Sequence, residues 1–210
     1  MIAICGCSWA SDFNNSGDYQ NPEVFENSQL WQYNLGHEPI VHAEPGSTNL
    51  KIYTQLHHAI NQGFDMCLVF LTSPSRINIA WQDSDGWNLE SKFNWGRTDV
   101  VNQHAPKETQ EYIAKYYNED LEILHSYVIT ESMYWKLKQT GKPFRIFTNA
   151  FTEYIDDDWK IFQQPEVVWA GPAGVTSQDE CRGANVPNHL SLIGQERAKN
   201  VVLQNIPKNN

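Results

Sequence analysis

The sequence predicts a three-layer α/β/α sandwich on a mainly parallel sheet, a single domain spanning residues 1–210. Two patterns predict it. Five short apolar segments, at 1–6, 39–43, 65–72, 143–150 and 166–170, have the length and composition of strands. Stretches of helical period separate them, which calls for parallel pairing through right-handed crossovers. The length supports the reading, since 210 residues bury a full core without disulfides or metal staples.

Taken in order, the opening strand runs into Gly6-Cys7-Ser8-Trp9. A strand that ends in a glycine and then a serine presents a hydroxyl at the carboxyl edge of a sheet, where open α/β sheets bind ligands. Residues 10–30, rich in Asn, Ser, Asp and Gly, read as a loop. A helix over 47–62 opens at a Ser47/Thr48 cap and carries Leu50, Tyr53, Leu56, His57 and Ile60 at three- and four-residue spacing. Residues 77–106 hold Trp81, Trp87, Phe93 and Trp95 among Asp and Asn with no clean period. They read as a Trp-rich insertion, serving as a binding loop or lid, as cover for a sheet edge, or as a contact between copies.

The clearest helical stretch is 107–139, opened by Pro106, closed by Gly141 and Pro143, and long enough for one bent helix or two. Its apolar stripe runs through Tyr112, Ile113, Tyr116, Tyr117, Leu121, Leu124, Tyr127, Val128, Tyr134 and Leu137. The tail from Leu192 to Val202 supplies Ile193, Ala198, Val201 and Val202 for a last helix, directly preceded by Asn188-His189-Leu190-Ser191. A histidine there can fold back over the first strand. A serine hydroxyl is a weak nucleophile until a base takes its proton, so Ser8 and His189 form the candidate pair.

Composition narrows the function. Hydrophobic residues make up 40% of the chain and aromatics 12%, a globular balance. A formal charge of -10 argues against a nucleic-acid surface, which is built on Lys and Arg. The longest apolar run, Met66 to Leu71, is far short of a membrane span, and no basic segment followed by an apolar one suggests a signal peptide. A cytoplasmic setting is therefore expected, with Cys5, Cys7, Cys67 and Cys181 as reduced, mostly buried thiols. Cys5-Gly6-Cys7 lacks the spacing of a CxxC site, and the adjacent His57 and His58 face different ways on a helix, so no metal or other cofactor is expected.

Three blocks together resemble the SGNH (GDSL-like) hydrolases, in the flavour of small members from phage and marine environmental sequences. Gly6-Cys7-Ser8 is similar to their first block, His42-Ala43-Glu44-Pro45-Gly46-Ser47-Thr48-Asn49 to their second, and His189 followed by Gly194, Ala198 and Val201 to the histidine block. The blocks fall in the family's order over nearly the whole chain. The resemblance implies an SGNH/flavodoxin-like fold and a serine esterase or acetylesterase acting on a small-molecule or carbohydrate ester. It implies Ser8 as nucleophile, His189 as base, and an oxyanion site drawn from the Ser8 and Gly46 amides, Asn49 and Thr72. Arg76, Trp9 and Trp81 are candidate substrate contacts, Arg76 for an anionic group and the tryptophans for stacking.

The chain also departs from the pattern. Cys7 stands where the family has Asp, Leu71-Thr72-Ser73-Pro74 offers no third-block Asn, and Val186 takes the place of the triad Asp three residues before the histidine. These departures keep a second class open, a lapsed SGNH fold retained as a glycan-binding or virion-associated structural protein. Association with further copies is open in either case.

Overall fold

A computed structural model describes residues 1–7, 10, 30–44, 47–74, 77–80, 93–96, 107–148, 151, 158–169 and 190–206; for 77–80, 93–96, 108–110, 112 and 113 it describes the backbone alone. Five strands form one parallel sheet: β1 (Ile2–Cys5), β2 (Pro39–Val41), β3 (Met66–Phe70), β6 (Phe144–Phe147) and β7 (Val167–Val168), in the order β2-β1-β3-β6-β7. In register, Ile2 faces Pro39 on one side and Met66 on the other, Cys67 faces Phe144, and Ile146 faces Val167. The central strands β1 and β3 are buried at every position, as expected of strands covered on both faces.

Alternation along those strands sorts their side chains into two layers. Ala3, Cys5, Cys67, Val69 and Ile146 face one buried cluster, shared with Ile52, Leu56 and Ala59 of helix α1 (Asn49–Gln62) and Tyr127, Met133 and Leu137 of helix α3 (Glu119–Thr140). Ile2, Ile4, Met66, Leu68, Phe70 and Phe147 face the other, shared with Trp31 and with Ala198 and Val202 of helix α4 (Leu192–Asn205). Each Leu, Ile or Phe so buried contributes about 1.5–3 kcal/mol. Phe70 stacks on Phe147 at 4.6 Å and meets Trp31 edge-on at 5.2 Å. The molecule is thus an α/β fold with a parallel sheet between helical layers.

Caps set the helix ends. Thr48 accepts the Lys51 amide at 3.2 Å to start α1, and Ser191 accepts the Gly194 amide at 3.2 Å to start α4. The 107–139 stretch resolves into two helices, α2 (Lys107–Tyr116) and α3, because Asn118 caps α3 through the Leu121 amide at 3.1 Å. Glu119, Asp120 and Glu122 then sit in its first turn, and Gly141 closes it at φ 65°, a left-handed conformation suited to glycine.

Three expectations shift. The buried face of α1 is Asn49, Ile52, Gln55, Leu56 and Ala59, so of the predicted stripe only Leu56 is buried, while Leu50 is 39% exposed. On α3, Tyr127, Tyr134 and Leu137 are buried as predicted, but Leu121, Leu124 and Val128 are exposed, and Ser126, Thr130 and Met133 go inside instead. The insertion contains an antiparallel pair, β4 (Ile77–Ala80) with β5 (Phe93–Gly96), Ile77 opposite Gly96 and Ala80 opposite Phe93. Apolar residues alternate in both segments, but over four residues each, too few to stand out from the sequence around them. No helix among the described residues is long and apolar enough to cross a membrane.

Candidate active site

The sheet order reverses between β1 and β3. The chain leaves β1 toward β2 on one side and returns through α1 to β3 on the other. The crevice outside the carboxyl ends at such a switch point is the ligand site of open α/β sheets. Gly6 follows β1 here and Thr72 follows β3, so the two exits define the candidate site.

At the β1 exit, Gly6 has no room for a side chain. A Cβ would lie 2.9 Å from Cβ of Ala10 and 3.0 Å from Cβ of Phe70. That close approach is what a glycine at this position permits. The Gly6 amide donates to Gln55 Oε1 at 2.8 Å, and its carbonyl accepts from the Glu44 amide at 3.2 Å. Cys7, the next residue, is fully buried.

At the β3 exit, Asn49 grips one residue twice. The Thr72 amide donates to Asn49 Oδ1 at 2.9 Å, and Asn49 Nδ2 donates to the Thr72 carbonyl at 3.1 Å and to Ser126 Oγ at 3.3 Å. Asn49 is 2% exposed. Both hydrogens of the amide that the resemblance offers to an oxyanion are directed at these groups. The Thr72 amide is likewise committed. The Thr72 hydroxyl is fully buried and has no hydrogen-bond partner among the described residues.

Asn49 also lies at the border of a groove of about 360 Å³ between the first turn of α1 and the first half of α3, flanked by Leu50, Leu121, Leu124 and Val128. The exposed leucines that a stripe argument sends to the core therefore line a surface groove next to the β3 exit.

Of the predicted site residues, Asn49 and Thr72 are brought together. Ser8, Trp9, Gly46, Arg76, Trp81 and His189 lie outside the described residues. Their sequence neighbours are informative. Ala10, two residues past Ser8, and Leu190, next to His189, belong to the same buried cluster. Glu44 and Ser47, on either side of Gly46, are tied together, the Ser47 hydroxyl donating to the Glu44 carbonyl at 2.8 Å.

Burial shifts several titratable groups of α1 and the strands beside it. Burial lowers the His42 pKa, and the charge of His58 lowers it further. Burial, Lys136 and His58 lower His57. The Cys5 thiol is pushed well up by its hydrogen bond with Cys67 and by burial, so it stays protonated and unreactive. Cys5, Cys7 and Cys67 are all free thiols, and all buried.

Sequence reasoning missed Gln55. A polar residue inside an apolar period reads as a solvent position, and the only available hint was that Gln55 sits one residue before Leu56 on the face that turns inward. No family model matches the chain, and no curated protein matches it.

Proposed function

We propose that the protein is an ester hydrolase of SGNH type acting through Ser8 and His189. The observation that carries the reading is that Ala10 and Leu190, near the two predicted catalytic residues and at opposite ends of the chain, belong to one buried layer that also covers β1 and β3, the strands on either side of the switch point. In this reading His189 takes the Ser8 hydroxyl proton as Oγ bonds to the ester carbonyl carbon. The tetrahedral oxyanion collapses, the bond to the alcohol breaks, and the imidazolium proton passes to the departing oxygen. Water then repeats the sequence and releases the acid, restoring the Ser8 hydroxyl.

The oxyanion requires fixed donors. With the amide of Asn49 and the main-chain N–H of Thr72 already committed, the reading leans on the backbone amides of Ser8 and Gly46. A small-molecule or carbohydrate ester is the substrate class, and the groove beside Asn49 suits an apolar part of it. A second reading is favoured by the substitutions at Cys7 and Val186 and by the absence of a third-block Asn: the same crevice binds a ligand without turning it over.

Hydrolysis of p-nitrophenyl acetate by the wild type, Ser8→Ala and His189→Ala separates the two. Turnover that falls by at least about 10³-fold in both variants, with phosphonate labelling at Ser8 lost in Ser8→Ala, is the expected result. A folded wild-type protein that neither turns over nor labels overturns the esterase in favour of the binding role.

A further inference from the structure

A closed ring of hydrogen bonds joins the two turns that flank the candidate site, and Gln55 is the side chain that bridges them. The Gly6 amide donates to Gln55 Oε1 at 2.8 Å, and Gln55 Nε2 donates to Ser47 Oγ at 2.9 Å. The Ser47 hydroxyl donates to the Glu44 carbonyl at 2.8 Å, and the Glu44 amide returns to the Gly6 carbonyl at 3.2 Å. Gln55 is 4% exposed and Ser47 fully buried. The orientation of the amide follows from chemistry, because a backbone N–H can only donate and so must face Oε1.

Nothing about helix packing asks for glutamine at this position. Its neighbours on the buried face of α1 include Ile52, Leu56 and Ala59, and an apolar residue would fill the space. What such a residue could not do is satisfy the Gly6 amide, which is buried beside Phe70 and Ala10. The ring therefore fixes where the chain leaves β1, one residue short of Cys7-Ser8, and fixes both flanks of Gly46.

We propose that Gln55 is a positioning residue, coupling the turn that carries the nucleophile to the turn that carries the oxyanion amide so that the two hold one register. The proposal rests on the esterase reading. Gln55 touches no substrate in it; its effect passes through Gly6 and Ser47.

The test uses the full chain. Gln55→Met keeps the side-chain length and removes both hydrogen bonds, and Ser47→Ala opens the ring at its other side while leaving Gly6 bound to Gln55. In a folded Gln55→Met variant, kcat on p-nitrophenyl acetate and the rate of phosphonate labelling should fall by about 10- to 100-fold with KM nearly unchanged, the cost of misplacing groups by a fraction of an ångström. Ser47→Ala should show the same split in milder form, which keeps the proposal open to test if Gln55→Met does not fold. Amide hydrogen exchange should speed up together at Gly6 and at Glu44 and Ser47 in Gln55→Met. Unchanged kcat in a folded variant of an active enzyme overturns the positioning role. Inactive wild-type protein overturns the esterase reading instead, and exchange then decides the ring: joint acceleration at both turns upholds Gln55 as their link, and acceleration at Gly6 alone overturns it.

Discussion

Two carboxamides on the buried face of α1 hold neighbouring strand exits in different ways. Asn49 closes both ends of its amide on one residue, accepting from the Thr72 amide and donating to its carbonyl, with a second donation to Ser126 of α3. Gln55 accepts from Gly6 and passes its donor to Ser47, in a different turn. The first arrangement is saturated and ties the end of β3 to the start of α1 and to α3. The second spans two loops, so its effect reaches both. The difference teaches that a buried amide can serve as an anchor or as a coupling, depending on whether its two ends meet the same segment.

The largest expected effect breaks the anchor. Asn49→Leu leaves the Thr72 amide buried without its partner and should destabilise the protein by about 2–4 kcal/mol in urea unfolding, since an unsatisfied buried group costs its full desolvation. A loss under about 1 kcal/mol would show that the β3 exit is held mainly by the ladder to β6, where the Leu71 amide meets the Phe147 carbonyl at 2.9 Å.

Acid should separate the two exits. The pKa values of His42 and His57 are lowered in the folded chain, chiefly by burial, so the folded state binds fewer protons than the unfolded state. Stability is then full above the ordinary histidine value of about 6.5 and falls as pH drops below it. His42 precedes Glu44 of the ring by two residues and feels the charge of His58, whereas Asn49, Ser126 and Thr72 themselves carry no titratable group, the nearest along the groove being Glu122 and His125. Between pH 7.5 and 5 the urea midpoint should fall, with exchange rising at 42–47 before it rises at Thr72. Simultaneous loosening at both exits would erase the distinction.

The smallest expected effect concerns the Thr72 hydroxyl. Because it is buried without a partner among the described residues, Thr72→Val should be neutral or stabilising, within about 1 kcal/mol. A clear loss of stability would mean that the hydroxyl is satisfied after all. A rate loss of about 10²-fold at unchanged stability would give the hydroxyl the oxyanion role that the resemblance assigns to it.

Much of this architecture is legible in the residues alone. The five strands fall within the apolar segments at 1–6, 39–43, 65–72, 143–150 and 166–170, because a strand between two helical layers must be apolar on both faces. The Thr48 cap and the closing Gly141 are local effects of single residues on backbone groups nearby, and sequence carries such effects well, whereas the Ser191 and Asn118 caps were found only in the structure. The faces of α1 and α3 were less legible. Leu50, Leu121 and Leu124 are apolar yet line a groove, and Asn49, Gln55 and Ser126 are polar yet buried.

By itself, then, the sequence determined the order of the five strands of the parallel sheet and of the helical stretches between them, the Thr48 cap and Gly141 stop, and the glycine at the β1 exit. Only the tertiary structure decided that β1 and β3 lie side by side with the switch point between them, and that Asn49 and Gln55 belong inside. The physical reason is that burial of a polar group depends on a partner, not on the group. A hydrophobic period records which residues water rejects, whereas the Gly6 amide and the Thr72 peptide, distant in sequence, become partners for α1 only once the sheet has brought them to it.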